Sequence, residues 1–478
     1  MRDGQLPPRL IQVALSVVDL RDTERWLREG FGFVPAGGSR RMMRGLLASR
    51  IQGLPRVAST CWWLGDRNDW FQIEMFQFER PIARLMPHDA RACDLGYTRI
   101  GFWVADFDAT LARLARTGSQ PLSDPIGEPG SRRACVRSPD GVFVEIMEDD
   151  PLVSRGGQAP ARAARPVAVR SVTLSVADLD QSAAFLSDGL GMPASGAALH
   201  RPEHEALWGL PGAATRSQVF DAGDVLVEAV QYFDPVGRPR PDDYRISDQG
   251  ILNIALGTRS KSQFGDLYRR ACAAGARPNS RPLRIPGAGV VYVNDPQQFS
   301  VEIIHLSKAS DEHWGFAPSA ITRRPQPDTY AIDRTVHIAA PPDVTWQVIS
   351  DHEAMSQWAG IGPVRRILDG DTGPNGRGAL RVLNIGARIV EQVTADNPPD
   401  SYRYRIIKGS PFVCHQGELL LRPHGDGTAL TWKIRFRPRI PGTGRLIAAG
   451  FSRALNRMMT TRLRRHVERL ARQEDAIA

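Results

Sequence analysis

Four glutamates stand at matching places in this chain: Glu74 in "FQIEMFQFERP", Glu145 in "SPDGVFVEI", Glu228 in "VLVEAVQYFDP" and Glu302 in "DPQQFSVEI". Each lies in a segment of alternating apolar residues, the pattern of a strand with one face buried. Carboxylates at equivalent strand ends can ligate a hard cation or carry a proton; as relics of a duplicated unit they can also simply face each other or solvent. Histidine offers less. His200 and His204 form an HxxxH pair in "LHRPEHEALWG", but Pro202 between them disrupts helical alignment. His88 sits on a Pro- and Arg-rich loop and His305 follows the last strand of its block, so neither adds a ligand set. The cysteines Cys61, Cys93, Cys135, Cys272 and Cys414 are scattered without CxxC spacing, which predicts reduced thiols rather than a disulfide framework or zinc knuckle.

The glutamates are positioned by a recurring unit. "LSVVDLRDTERWLREGFGF" at 15–33 returns as "LSVADLDQSAAFLSDGLGM" at 174–192, and "IGFWVADFDATLARLARTG" at 100–118 follows the same plan. The plan is an alternating strand, an acidic turn and a helix, with Asp19, Asp106 and Asp178 placed as N-caps for the free amide groups of the helix start. β-rich segments ending in a glutamate follow, so the unit is strand, helix and three strands. Four such units make two paired cups.

Two Pro/Ala/Arg-rich stretches, 153–168 and 317–328, read as linkers. They divide the chain into blocks 1–150, 166–308 and 329–478, of which the first two repeat each other: "GLP" recurs at 53 and 209, and "TGSQPLSDP" at 117–125 answers "AGARPNSRP" at 274–282. A chain of 478 residues exceeds one hydrophobic core, which agrees with three blocks. No apolar run approaches the ~20 residues of a membrane span, and the opening "MRDGQLPPRL" lacks the apolar stretch of a signal peptide. A cytoplasmic protein is expected. Eight arginines and one acid, Glu468, lie between Arg445 and Arg472 and account for most of the net charge of +9. They share a helix with Ile447, Phe451, Leu455, Met459, Leu463 and Val467, so the basic face reads as a solvated outer surface, without the interleaved aromatics of a nucleic-acid site.

The strand–"xDL"–helix opening, Gly96 and Gly250 before the second unit of each block, and the "PDGVFVEI" ending resemble the vicinal-oxygen-chelate superfamily of glyoxalases, extradiol dioxygenases, epimerases and bleomycin-resistance-type binding proteins, over about residues 8–148 and 168–305. The resemblance implies four side chains converging in each cup. It assigns Gln12, Glu74, Arg99 and Glu145 to the first cup and Ser171, Glu228, Asn253 and Glu302 to the second. The family's iron dioxygenases need two histidines and a carboxylate, so iron-dependent ring cleavage is not expected. Arg99 has no lone pair for a metal; pairing with Glu74 or Glu145 would make it either a structural ion pair or a clamp for an anionic substrate. Glu74, Arg99 and Glu145 are thus the catalytic candidates, with Gln12 and Arg99 as ligand-binding residues. The all-oxygen second set suits magnesium, manganese or calcium, and no other cofactor is implied.

From 329 the pattern is a strand, a helix after "APPDV", a short helical stretch around Trp358, several strands with a hairpin at "HGDG", and a long helix over about 443–472. "ISDHEAMSQWAG" and "EQVTADNPPDSYRYRI" resemble the polyketide cyclase and START-like helix-grip family, whose curved antiparallel sheet grips the terminal helix. The expected fold class is therefore α+β, two paired βαβββ cups followed by a helix-grip domain. The resemblance implies a hydrophobic, aromatic or polyketide-like ligand held mostly by the terminal block, with His352, Trp358, Glu391, His415 and Arg435 as ligand-binding candidates. Two cavity-forming folds in one chain favour an enzyme of lyase, isomerase or cyclase type, or a non-catalytic binding or sequestration protein, over a scaffold. No nucleic-acid or membrane partner is expected, and a homodimer is left open.

Overall fold

A computed structural model describes residues 8–39, 42–152, 165–196, 199–317 and 329–475. The described residues up to 317 form one compact unit and those from 329 a second. Among them, no helix is long and apolar enough to cross a membrane.

The first unit contains four strand–helix modules of the expected plan, of which the second has two strands after its helix, Arg133–Arg137 and Phe143–Met147, instead of three. Asp19, Asp106 and Asp178 cap helices Leu20–Trp26, Phe107–Arg116 and Leu179–Ala184, accepting from the amides of Arg21, Ala109 and Gln181. Ser260 does the same for helix Lys261–Ala273. In the first and third modules the helix continues into a π-helical turn, Leu27–Phe31 and Phe185–Gly189, at matching points of the repeat.

The modules pair differently from the chain order. One sheet joins the first module to the fourth: strand Arg9–Val17 runs antiparallel to Gly250–Thr258, with Gln72–Arg80 and Ala58–Gly65 beyond one side and Ser300–Leu306 and Ala288–Asn294 beyond the other. The second sheet joins the second module to the third through Gly96–Val104 against Val167–Ser175. The expected first cup, built from 1–150, and second cup, built from 166–308, are therefore each split between two sheets. The physical reason lies in the seam strands. Val167–Ser175 and Gly250–Thr258 are buried along their whole length and Arg9–Val17 beyond its first residue, so apolar patterning does not select a partner. At Gly101 the seam is tight: a Cβ there would overlap the side-chain ends of Ser171 and Met147, which would have to move aside. The outer faces of both sheets share one core, in which Phe31 and Phe33 of the first module pack edge-on against Phe102 of the second, with ring centroids 5.0 and 5.2 Å apart.

The second unit is an antiparallel sheet in the order Tyr330–Ile338, Gly427–Pro438, Phe412–His424, Ser401–Lys408, Arg388–Asn397, Leu380–Asn384 and Arg365–Leu368. Helices Pro342–Ser350 and Met355–Ala359 and a terminal helix complete it. That helix runs from Gly444 to Asp475 with a π-helical turn at Met458–Leu463, and it packs through Leu455, Met459, Leu463 and Val467.

The crossed pairing has a direct consequence. Cutting the chain at a protease site inserted between residues 152 and 165 should leave two fragments that co-elute in native size-exclusion chromatography and part only in denaturant. Fragments that separate in native buffer would contradict the pairing.

Candidate functional site

The crossing regroups the candidate residues. Gln12, Glu74, Asn253 and Glu302 share one cup; Arg99, Glu145, Ser171 and Glu228 share the other. The expected all-oxygen set of Ser171, Glu228, Asn253 and Glu302 is thus divided between sheets. Among the described residues, no three or more His, Cys, Asp or Glu side chains gather as a metal-type cluster.

In the first cup, register sets Gln12 beside Gln72, Trp63 beside Glu74 and Tyr292 beside Glu302. The Gln12 amide nitrogen donates to Glu74 at 2.7 Å and to Glu302 at 3.0 Å, so both carboxyl groups close on one point. Glu74 also accepts from Trp63 Nε1 at 2.9 Å and from the Cys61 thiol at 3.0 Å. Burial raises the pKa of Glu74 against these hydrogen bonds, and burial together with the Glu74 charge raises Glu302 well above the ordinary carboxylate range. Above the pair opens a cleft of about 370 Å³, walled by Leu47, Ile51, Phe76, Ile304, Trp314 and Phe316. The buried Asn253 lies nearby beside the Tyr292 phenol, and neither of its amide atoms meets a hydrogen-bond partner in good geometry among the described residues.

The second cup is filled by protein. His200 bridges the two glutamates, with Nδ1 2.7 Å from Glu228 and Nε2 2.8 Å from Glu145. Arg99, expected beside Glu74 or Glu145, instead donates to Glu228 at 3.3 Å and to the Tyr232 hydroxyl at 2.9 Å, and its guanidinium lies 4.0 Å from the Trp208 ring centroid. Glu145 takes its second cation from Arg133 at 3.0 Å. Glu205 closes the network, accepting from Tyr232 at 2.9 Å and from Trp208 Nε1 at 2.6 Å. Burial disfavours charge on His200, yet Glu145 and Glu228 outweigh it and hold its pKa up at about 9. The same contacts hold Glu145 and Glu228 below the usual carboxylate range despite burial. Pro202, read as disrupting the HxxxH pair, opens a 3₁₀ helix Pro202–Trp208 at its first turn, where proline costs no hydrogen bond, and this helix delivers Glu205 and Trp208. Ser171, buried beside Gly101, completes this cup.

In the second unit the inward face carries its own polar network. Arg381 donates to Glu391 at 2.8 Å and lies over the rings of Tyr402 and Tyr404, 5.7 and 5.3 Å from their centroids. His352 Nε2 hydrogen-bonds the Tyr402 hydroxyl, and Trp432 Nε1 donates to Tyr404 at 3.0 Å. Burial pushes His352 down to about 2, with Arg381 and Arg366 adding to the effect, and pushes His415 down to about 3, so both imidazoles are neutral. The Trp358 indole N–H is buried without a partner among the described residues. Arg435, an inward candidate from sequence, belongs to the opposite face: Thr428, Leu430, Trp432, Ile434 and Phe436 are the buried residues of its strand.

Sequence reasoning missed His200, Arg133, Glu205 and Tyr232 in the second cup, Cys61, Trp63 and Tyr292 in the first, and Arg381, Tyr402 and Tyr404 in the second unit. The HxxxH pair was the one available signal, and it needed a non-helical geometry to be read.

Comparisons with known proteins follow this division. Residues 329–473 match the family model described as polyketide cyclase / dehydrase and lipid transport. The amino-terminal region is similar in structure to glyoxalase I from Zea mays, at 16% identity over 62% of this chain and 92% of that one, with a TM-score of 0.43. A putative dioxygenase from Bacillus subtilis is similar at 12% identity over 66% and 92%, with a TM-score of 0.45. The carboxy-terminal part is similar to a START superfamily protein from Mycobacterium smegmatis, at 18% identity over 30% and 97%, with a TM-score of 0.25. No curated protein matches the chain.

The filled cup yields a stability test. Removing one member of a buried charge network leaves its partners uncompensated, so His200→Gln should destabilise the first unit by about 3–5 kcal/mol in denaturant unfolding. Adding Glu145→Gln should recover part of the loss. A change below about 1 kcal/mol would show that the imidazolium is not what neutralises the glutamates.

Proposed function

We propose that the chain binds an apolar, aromatic or polyketide-like small molecule in the first cup and acts on it as a lyase, isomerase or cyclase by moving a proton at a carbonyl or enol group. The observation that carries this reading is the Glu74–Glu302 pair at the base of an otherwise apolar cleft. We place the reaction in this cleft, rather than in the terminal block expected to supply most of the apolar contact, because it joins apolar walls to groups able to do chemistry. The helix-grip unit, by its family description, supports the hydrophobic ligand class.

Two carboxyl groups meeting at one amide repel as anions, so one holds a proton. The neutral member donates to a substrate carbonyl oxygen while the ionised member takes the proton from the adjacent carbon, and the roles reverse when the enol returns to the carbonyl form. Trp63 and Cys61, donating to Glu74, favour ionisation of that residue over Glu302. Glu74 is thus the base and Glu302 the acid. The apolar walls orient the ligand and exclude water from the pair. The donor types also fit a hard divalent cation: Glu74 and Glu302, with the amides of Gln12 and the unsatisfied Asn253, would hold one, and it would supply Lewis acidity toward a substrate oxygen.

Native mass spectrometry of the full-length chain purified from its own host should find a retained small molecule. In deuterated solvent that molecule should exchange an acidic C–H, and Glu74→Gln or Glu302→Gln should slow the exchange by about 10² or more while leaving binding largely intact. Exchange unaffected by both substitutions would overturn the carboxyl roles. Retention without exchange in the unsubstituted protein would favour the binding or sequestration reading.

A further inference from the structure

Strand Ser300–Leu306 has two faces. Glu302, Ile304 and Leu306 line the first cup, so His305 points to the other side of the sheet. There it lines a separate cleft of about 660 Å³ between the start of helix Lys261–Ala273 and the hairpin of Leu283–Ile285 with Ala288–Asn294. The cationic lining is Lys261, Arg269 and Arg284, joined by the imidazole of His305, with Asp266 the one acid among the described lining residues. Asp266 is paired with Arg269. Neither Lys261 nor Arg284 has a carboxylate partner among the described residues.

Two further details distinguish this cleft from an ordinary basic surface. His305 is only 5% exposed, and its Nδ1 lies 3.3 Å from the Thr258 carbonyl oxygen. A carbonyl only accepts, so Nδ1 carries the proton and Nε2 remains a lone-pair acceptor with no partner among the described residues. Burial, with the charges of Lys261 and Arg259, keeps the ring below the ordinary imidazole range against the Thr258 bond. The second detail is Gly265. Arg269 Nη1 and Arg284 Nη2 lie 3.8 and 3.9 Å from the position its Cβ would take, so two guanidinium groups reach over one bare point of the helix, about a turn beyond its free first amides.

We propose that this cleft is a phosphate site, independent of the first cup, that takes hydrogen phosphate or the headgroup of a phosphomonoester. Lys261, Arg284 and the first amides of the helix meet the anionic oxygens, and the P–OH donates to His305 Nε2. That last contact selects the ligand. Carboxylate and sulfate offer charge but no donor near neutral pH, whereas phosphate offers both.

Titration calorimetry on the full-length chain tests this with inorganic phosphate, glycerol phosphate and sulfate at matched ionic strength and about pH 6, where a phosphate still carries a proton. Phosphate should bind at least about tenfold more tightly than sulfate, and Lys261→Ala with Arg284→Ala should weaken it by at least about tenfold. His305→Gln should abolish the preference while leaving oxyanion binding. Gly265→Glu, which improves helix propensity and sets a carboxylate under both guanidinium groups, should abolish binding in a folded protein. Tighter binding of glycerol phosphate than of inorganic phosphate would identify a phosphomonoester as the source, and the reverse order free phosphate. Equal affinity for phosphate and sulfate, no binding of either, or phosphate binding unchanged in the double variant would overturn the proposal.

Discussion

A carboxylate taken out of water has to be neutralised, and four equivalent glutamates at the centres of two cups make that requirement the governing constraint of the first unit. The second cup meets it with protein. His200 sits between Glu145 and Glu228, and Arg133 and Arg99 supply the remaining charge. Among the described residues, no such cation meets the first cup's pair: Glu74 and Glu302 are met by an amide, an indole, a thiol and a phenol, all neutral donors. Burial there favours the proton. One duplicated scaffold has thus produced a sealed charge cluster and an open acid site, and the difference follows from which side chains surround the same pair of positions.

The topology makes this asymmetry available. Because each sheet takes one module from each half of the duplication, unlike modules face each other in both cups, and the cups diverge without either half losing its fold. The 3₁₀ helix Pro202–Trp208 exists only over the second cup's network, where Glu205 and Trp208 complete it. Over the first cup, helix Leu46–Gln52 lends Leu47 and Ile51 to an apolar wall instead. The second unit sets burial against pairing at Glu391, where Arg381 offsets part of the rise that burial imposes on the carboxyl. Its imidazoles, His352 and His415, are held well below the ordinary imidazole range by burial, with Arg381 and Arg366 adding to the effect at His352.

Much of this was legible in the sequence, for local reasons. The capping aspartates, the alternating strands and the glutamates at their ends are read from neighbours in the chain, and the terminal helix declares its apolar face at helical spacing. The pairing of modules was not legible, since strands such as Val167–Ser175 and Gly250–Thr258 are buried on both faces and carry no pattern that distinguishes one partner from another. That single gap moved Asn253 and Glu302 away from Ser171 and Glu228. His200 was hidden because its role depends on an irregular segment folding over a distant sheet. Arg435 shows the cost of strand parity, where one residue decides between the interior and the outer face.

The central claim is that the two glutamate pairs are neutralised by different means, and side-chain ¹³C NMR of Glu-labelled protein, stripped of divalent ions with a chelator, reads it directly. Resonances assigned by single Glu→Gln substitutions should show Glu145 and Glu228 ionised from neutral pH down into the acid range, held there by His200, Arg133 and Arg99. At neutral pH the Glu74–Glu302 pair should still hold a proton and should titrate only above the ordinary carboxylate range. Four glutamates that titrate together near the ordinary value would contradict the account, and a proton found between Glu145 and Glu228 instead would reverse the assignment of the open and filled cups.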